Sequence, residues 1–209
     1  MIRLCYGDVT GLLDPLVQER CLALIPRECR ERILKIRSDK ARAGSLGARV
    51  LLARCLKDMG LCLAEESFVY GTFGKPGLRD HPQICFNLSH SGAYAACTVS
   101  DQAAGVDIQR LDGLHPQVQR RCFTRRERQY VQEAVDPTRA FALIWAMKES
   151  FVKASGTGLT ENLQTVETDP DAMSVSGSPL RFGQWSVPGY VLVLCAGELP
   201  ENVERMCIG

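Results

Sequence analysis

An aromatic, an acidic and a basic residue are spaced so that one side of a helix would present all three. At 100° per residue, Trp145, Glu149 and Lys153 share one side of a helix predicted over 138–155, opposite its apolar side. Glu149 and Lys153 could form no more than a surface ion pair, because Glu stands four residues before Lys. A tryptophan on the same side fits a solvated surface poorly. The pattern therefore favours a cleft lined by charged groups.

A second acidic position lies in a strand predicted over 105–109. Asp107 and Gln109 stand two residues apart, so their side chains point to the same face of that strand. A carboxylate and an amide oxygen on one face suit a hard cation such as Mg²⁺. A surface aspartate at the end of a strand explains the pair equally well, so both interpretations stay open.

Ser89 and His90 come directly after a strand predicted over 84–88. Adjacent side chains in an extended segment point apart, and the G-x-S-x-G pattern is absent, which disfavours a hydrolase nucleophile. Hydroxyl and imidazole groups are hydrogen-bond donors that suit a phosphate. Lys75, in a glycine- and proline-rich segment upstream, could add a cation to that site or simply belong to a turn.

Local patterns predict the helices and strands that position these residues. Leu46, Val50 and Leu56 recur at helical spacing. Thr124 and Glu127 form a capping-box pattern at the start of another helix. The predicted helices cover 44–60, 124–134 and 138–155, and the predicted strands cover 84–88, 94–100, 105–109 and 190–196.

The two halves of the chain are similar at a nearly constant offset. Lys57 and Lys153, each near the end of a predicted long helix, are 96 residues apart, and strands follow both helices. Chance similarity is the alternative to a duplication. We expect an α+β fold of two pseudo-repeated halves, residues 1–102 and 103–209. Each half is predicted to pack a long helix on a small antiparallel sheet, with a ligand cleft between the halves.

The composition sets limits on the class of protein. The 209 residues are 45% hydrophobic and 23% charged, which is ordinary for a globular protein. A formal net charge of +1 argues against a nucleic-acid binder. We find no apolar signal segment at the start, and the most apolar run, 190–197, is too short to span a bilayer. We therefore expect a soluble cytoplasmic protein without a nucleic-acid or membrane partner.

Basic residues are concentrated in the first quarter of the chain. Between Arg20 and Lys57 there are eleven basic residues and only three acidic ones. This excess fits a solvated helix surface or a site for a polyanionic small molecule, because Arg and Lys bind phosphates well. Ten cysteines are scattered without any C-x-x-C pair, which indicates reduced thiols and disfavours a structural zinc site.

Five motifs occur in the order and spacing of the surfactin-type 4′-phosphopantetheinyl transferases. They are Phe73-Gly74-Lys75-Pro76, Phe86-Asn87-Leu88-Ser89-His90-Ser91, Gly105-Val106-Asp107-Ile108-Gln109, Phe123-Thr124-x-x-Glu127 and Trp145-x-x-Lys148-Glu149-Ser150-x-x-Lys153. The resemblance spans roughly residues 40–160. It implies a monomer of two similar α+β halves that binds coenzyme A between them. It also implies Mg²⁺-dependent transfer of the phosphopantetheine arm to a serine of an apo acyl or peptidyl carrier protein, with release of 3′,5′-ADP.

The resemblance also implies roles for the acidic residues. Asp107 and Glu149 correspond to Mg²⁺ ligands, and Glu149 further corresponds to the family's proposed general base for the serine hydroxyl. Gln109 stands at a third metal position, where many members carry an acid. A neutral side chain there suggests that a water replaces direct contact with the ion.

Roles for the basic and polar residues follow from the same resemblance. We expect Lys153 and Lys75 to contact the phosphates of coenzyme A. Lys153 is also expected to be one of the catalytic residues. His90 and Ser89 are expected at the adenosine 3′-phosphate, together with basic residues from the 30–42 segment. The arginines that crowd the start of the helix at 124–134 are expected to contact the carrier protein, unless they are only a solubilising patch.

Two other classes of protein compete with a transferase. One is a non-catalytic module that binds coenzyme A or a nucleotide, which the intact set of Asp107, Glu149 and Lys153 disfavours. The other is a protein-interaction or nucleic-acid module that uses the basic first half. Retention on plain DNA without coenzyme A binding would favour that second class.

Overall fold

The computed structural model describes residues 1–156 and 163–208, which form a mixed α+β fold. Within these residues there are six α-helices, two 3₁₀ turns (Thr10–Leu13 and Leu63–Glu65) and eleven strands. The helices are α1 (Pro15–Leu22), α2 (Arg27–Leu34), α3 (Asp39–Lys57), α4 (Pro116–Cys122), α5 (Arg125–Glu133) and α6 (Pro137–Ser155). The strands are β1 (Ile2–Asp8), β2 (Phe68–Tyr70), β3 (Pro76–Leu78), β4 (Cys85–Ser91), β5 (Tyr94–Ser100), β6 (Ala104–Arg110), β7 (Thr168–Asp169), β8 (Ser174–Val175), β9 (Arg181–Val187), β10 (Tyr190–Ala196) and β11 (Val203–Arg205).

Two main sheets lie between the two long helices. The first has the strand order β11-β1-β5-β4 and the second has the order β6-β10-β9. Helix α3 packs on the first sheet and α6 packs on the second. Between the sheets, Leu4 and Ala96 of the first meet Val106, Ile108 and Leu192 of the second. The layers are therefore helix, sheet, sheet and helix.

Helix α3 begins earlier than the sequence pattern predicts. The prediction started at Gly44, whereas the helix starts at Asp39. The Ser38 side chain accepts a hydrogen bond from the Ala41 amide, which caps the helix and satisfies one free N–H group of its first turn. The extra turn carries charged side chains and so adds nothing to the apolar pattern.

Helix α6 begins with Pro137 after an Asp136 cap and ends at Gly156, which has a φ of 71°. The prediction of a single apolar side is wrong, because α6 is buried on most of its circumference. Even the charged residue Lys148 has an exposure of 0%. No helix in the described part of the chain combines the length and apolar character needed to cross a bilayer.

The first sheet is not entirely antiparallel, which corrects the prediction. Strand β11 pairs with β1 in parallel, with Leu4 opposite Val203 and Tyr6 opposite Arg205. Ile208, further on, is buried in the core between α3 and the first sheet. The chain thus crosses back from the second sheet, and its last described residues complete the first half of the fold.

The predicted capping box at the start of α5 is confirmed. The Glu127 amide donates to the Thr124 hydroxyl, and the Thr124 amide donates to the Glu127 carboxylate. The other Glu127 oxygen accepts from the amide and the hydroxyl of Thr168, at 2.9 and 2.8 Å. Glu127 therefore holds the start of α5 against β7 as well as capping the helix.

Glu127 also forms a fully buried ion pair with Lys148 of α6. The Lys148 ammonium lies 3.0 Å from the carboxylate, and the two side chains have exposures of 0% and 1%. The ammonium donates in addition to the carbonyls of Leu163 and Val166. Burial lowers the pKa of Lys148 and the charge of Glu127 opposes that effect. The pair ties α5, α6 and the segment that precedes β7 into one unit.

Three of the ten free thiols meet in the first core. The sulfur atoms of Cys5, Cys55 and Cys97 all lie within 4.8 Å of one another, and the three side chains are buried. They come from β1, α3 and β5, far apart in sequence, so no spacing pattern in the chain indicated the cluster. Burial raises the pKa of Cys97, which favours the neutral thiol there.

Candidate active site

The two sheets meet along β4 and β6, where side chains replace backbone pairing. Three alternate residues of β4 each accept a hydrogen bond from a backbone amide of β6. The bonds run from the Val106, Ile108 and Arg110 amides to Asn87 Oδ1, Ser89 Oγ and Ser91 Oγ, at 3.0, 3.2 and 3.1 Å. This ladder places the second half of β4 directly beside Asp107.

Asp107 is the centre of the site, and only 5% of it is exposed. Its Oδ1 atom accepts from the Ser89 hydroxyl and from the Lys153 ammonium, each at 2.7 Å. Its Oδ2 atom is buried and has no hydrogen-bond partner among the residues that the structure describes. A buried carboxylate oxygen without a partner is costly, so its position indicates a missing ligand.

Helix α6 brings Lys153 and Glu149 to Asp107. The Lys153 ammonium lies 3.9 Å from the Glu149 carboxylate and also donates to the Val106 carbonyl at 3.2 Å. The close approach depends on Gly105, where a Cβ atom would lie only 2.1 Å from a carbonyl oxygen of α6. Glycine in β6 therefore allows the helix to approach the strand next to the aspartate.

Two acidic side chains and one basic side chain lie close together at the centre of the site. Two carboxylates, Asp107 and Glu149, share one ammonium, that of Lys153. Burial raises the pKa of Glu149, the neighbouring Asp107 raises it further, and Lys153 lowers it. Two neighbouring carboxylates, one of which has an unpartnered oxygen, fit a hard divalent cation such as Mg²⁺. Gln109 is half-buried on the same face of β6 as Asp107.

Lys75 has hydrogen-bond partners within the protein. Its ammonium donates to the carbonyls of Lys153 and Ala154, at 2.6 and 3.2 Å, and so covers the C-terminal end of α6. Burial lowers the pKa of Lys75. The lysine lines a cleft of about 440 Å³ that Glu149 and Lys153 also line. It is therefore at the site, with two of its three N–H donors bonded to carbonyls of α6.

His90 lies on the α3 side of the site. Its ring packs against Gly44, where a Cβ atom would come within 2.8 Å of the imidazole Nδ1. Desolvation lowers the pKa of His90, and the charges of Lys153 and Arg49 lower it further. Lys153 and Arg49 are therefore cations close to this ring.

Two arginines of the 30–42 segment bind groups that lie close to them in the sequence. Arg30 donates to the Ile25 carbonyl at 2.8 Å. Arg42 donates to the Ile36 carbonyl and pairs with Asp39. Arg49 belongs to the basic region between Arg20 and Lys57, but nothing in the sequence singles it out from the other basic residues there. It lies near His90 because α3 packs on β4.

Trp145 does not extend the charged side of α6, which corrects the expectation from its spacing. The ring is half-buried against the apolar cluster that contains Phe123 and Phe141. The tryptophan therefore helps to hold α6 against α4 and α5, while Glu149 and Lys153 line the cleft one and two turns later.

The arginines around α5 divide into two groups. Arg126 pairs with Glu167 and Asp169, each at 3.4 Å. Arg128 donates to the Phe123 carbonyl. The remaining three, which are Arg120, Arg121 and Arg125, are exposed. Only part of the cluster is thus held by the fold.

Residues 103–194 match the sequence profile of the 4′-phosphopantetheinyl transferase superfamily. These residues include Asp107, Gln109, Glu149 and Lys153 of the site. The match confirms the resemblance drawn from the motifs.

Whole-chain comparisons agree with this match. The chain is 29% identical to 4′-phosphopantetheinyl transferase Sfp of Bacillus subtilis (strain 168) over 198 residues, which are 88% of each chain. It is 36% identical to 4′-phosphopantetheinyl transferase AcpT of Salmonella typhi over 182 residues, covering 84% of this chain and 85% of that relative. A putative transferase of Synechocystis is 32% identical over 178 residues, 74% of this chain and 71% of its own. The chain belongs to the 4′-phosphopantetheinyl transferase family and is an enzyme.

Proposed function

We propose that this enzyme transfers the 4′-phosphopantetheine arm of coenzyme A to a serine of apo acyl or peptidyl carrier proteins. The reaction is proposed to require Mg²⁺ and to release 3′,5′-ADP. The main observation in support of the proposal is the hydrogen bonding of the Asp107 carboxylate. One oxygen accepts from Ser89 and Lys153, and the other has no partner among the described residues. Family membership supplies the class of reaction.

The test is incubation of the protein with coenzyme A, Mg²⁺ and a panel of apo carrier proteins, read by intact mass. We expect at least one carrier to gain the phosphopantetheine arm, and omission of Mg²⁺ to prevent the gain. Binding of coenzyme A without modification of any carrier would instead support a non-catalytic binding module.

The proposed chemistry forms a bond between the carrier serine oxygen and the β-phosphorus of coenzyme A and breaks the bond from that phosphorus to the leaving 3′,5′-ADP. Asp107 and Glu149 would hold Mg²⁺, with Gln109 contributing through a water. When bound, the ion supplies positive charge that stabilises the pyrophosphate oxygens. Glu149 is proposed to take the proton of the serine hydroxyl as the general base.

Lys153 is proposed to stabilise negative charge on the phosphoryl oxygens, because its ammonium is already held at Asp107. Lys75 lies in the same cleft and is proposed to contact the phosphates after exchanging the α6 carbonyls for phosphate oxygens. His90, on the α3 side, is proposed to contact the adenosine 3′-phosphate.

The remaining proposals concern the organisation of the enzyme. We propose that residues 1–102 and 103–209 are pseudo-repeated halves and that coenzyme A binds in the cleft between them. The packing of α3 on β4 and β5 and of α6 on β6 and β10 supports this division. We further propose a monomer that acts in a reducing compartment such as the cytoplasm, which the ten free thiols support.

His90→Ala is expected to raise the KM for coenzyme A while leaving the KM for dephospho-coenzyme A within about twofold. A hydrogen bond to a charged group contributes roughly 1.5–3 kcal/mol, so we expect an increase of about tenfold or more. Steady-state kinetics with both substrates measure the difference. His81→Ala, which removes a histidine paired with Glu66, is the control. Equal increases in KM for both substrates would show that His90 does not contact the 3′-phosphate.

Arg121→Glu/Arg125→Glu is expected to lower the kcat/KM for the carrier protein about fivefold at low salt, because opposite charges at the rim of an interface accelerate encounter. These two arginines are exposed, whereas Arg126 and Arg128 have partners within the fold. The loss should shrink at high ionic strength, and the affinity for coenzyme A should not change.

The control for this prediction is Arg181→Glu/Arg205→Glu, which changes the net charge equally at exposed positions on β9 and β11. Carrier kinetics measured at two salt concentrations separate the two double variants. If the kinetics of the Arg121/Arg125 variant match those of the control, the arginines are only surface charge.

A further inference from the structure

Ser89 differs from the other members of the β4–β6 ladder. Ser91 uses its hydroxyl oxygen to accept from the Arg110 amide. Ser89 accepts from the Ile108 amide in the same way, but its hydroxyl also donates to Asp107 Oδ1 at 2.7 Å. Ser89 is therefore the member of the ladder that joins the backbone of β6 to the carboxylate of the site.

The hydrogen-bonding capacity of the Ser89 hydroxyl is already used. A hydroxyl has one proton to donate and two lone pairs that accept. The proton goes to Asp107, and the oxygen accepts from the Ile108 amide at 3.2 Å and from the Lys153 ammonium at 3.4 Å. The residue is also buried, with 7% exposed. A phosphate oxygen could engage Ser89 only at the expense of its bond to Asp107.

We infer that Ser89 is a positioning residue for Asp107 and that its hydroxyl does not contact the phosphates of coenzyme A. Its hydroxyl donates one hydrogen bond to Oδ1, and the hydroxyl oxygen is itself held by the amide of Ile108, the residue that follows Asp107. With Oδ1 held by Ser89 and Lys153, Oδ2 has a fixed orientation and is left for a divalent cation. This inference rests on the proposed function for the identity of the ion.

The chain offers a matched control for this role. Ser91→Ala removes one hydroxyl and one bond to a β6 amide, as Ser89→Ala does, but it leaves the partners of Asp107 in place. Ser89→Thr keeps a hydroxyl at the position and tests whether the donor restores the effect. Thermal unfolding of each variant, followed by circular dichroism, shows whether it folds.

The main readout is the binding of Mn²⁺, measured by electron paramagnetic resonance of the free ion. The titration uses the complete protein, first with Mn²⁺ alone and then with saturating coenzyme A and no carrier. We expect Ser89→Ala to raise the Kd for Mn²⁺ about tenfold, because groups that orient metal ligands contribute on that order to affinity. Ser91→Ala should stay within about twofold of the wild type, and Ser89→Thr should recover most of the affinity.

Kinetics provide the second readout. In Ser89→Ala the Mg²⁺ concentration for half-maximal transfer should rise about tenfold, while the KM for coenzyme A at saturating Mg²⁺ stays unchanged. A higher KM for coenzyme A with an unchanged Kd for Mn²⁺ would overturn the inference and return Ser89 to the phosphate site. So would Mn²⁺ binding that Asp107→Ala does not weaken.

The two proposals fail in different ways. Carrier modification by the wild type together with normal Mn²⁺ binding by Ser89→Ala would refute the positioning role alone. Mn²⁺ binding that depends on Asp107 and Ser89, without modification of any carrier, would refute the proposed function alone.

Discussion

Asp107→Ala and Glu149→Gln are each expected to lower the transfer rate by about 10²-fold or more while the protein stays folded. Both side chains act on charge that develops in the transition state, where loss of one stabilising group costs on the order of 10²–10³ in kcat. Glu149→Gln keeps the shape of the side chain but removes its ability to accept the serine proton. Asp107→Ala removes the only buried carboxylate in the described residues that combines two donors on one oxygen with an unpartnered second oxygen.

Gln109→Ala is the comparison that tests the order of importance at this site. Gln109 is neutral and half-buried, and we propose that it acts through a water, so its loss should reduce the rate much less than loss of Asp107. Rates measured with saturating coenzyme A and Mg²⁺ isolate the chemical step. Near-normal turnover by Asp107→Ala or Glu149→Gln would refute the assignment of the site. Equal losses in Gln109→Ala and Asp107→Ala would mean that Gln109 binds the ion directly.

Lys148→Met is expected to destabilise the protein by about 3–5 kcal/mol, the range for a buried ion pair that loses one partner. Glu127 would be left as an uncompensated charge with an exposure of 1%. The carbonyls of Leu163 and Val166 would also lose the ammonium that donates to them. Urea denaturation followed by circular dichroism measures the change in the free energy of unfolding.

The double variant Glu127→Gln/Lys148→Met separates charge from the loss of a hydrogen bond. Glutamine can still complete the capping box with Thr124, so the double variant lacks the buried charge but keeps the cap. It should therefore be more stable than Lys148→Met alone. Arg27→Ala, which breaks the exposed pair with Glu31, should change stability by less than about 1 kcal/mol. If Lys148→Met is no more destabilising than Arg27→Ala, the buried pair does not hold the fold together.

The sequence predicts best those features that are determined by neighbouring residues. The capping box of Thr124 and Glu127 depends on residues three apart, and the end of α6 depends on Gly156. Asp107 was placed correctly on a strand because alternation within β6 is a local pattern. Such features depend little on the rest of the fold.

Features that depend on distant partners could not be predicted in this way. The burial of Lys148 could not be predicted from α6 alone, because its partner Glu127 lies on another helix. Lys75 looked like a free cation because nothing in its own turn indicates that its ammonium reaches the end of α6. The Ser89 bond to Asp107 likewise exists only because β4 lies beside β6. In each case the sequence shows which chemical group the residue carries but does not show which residue it contacts.

The pairing of β11 with β1 has a consequence for the order in which the chain can fold during its synthesis. Translation releases β1 long before β11, yet the two strands are neighbours in one sheet. Ile208, which follows β11, fills part of the core beneath α3. The first half therefore emerges from the ribosome with an open sheet edge and an incomplete core. It reaches its final form only after the second half has been made, so the two halves do not fold as successive independent units.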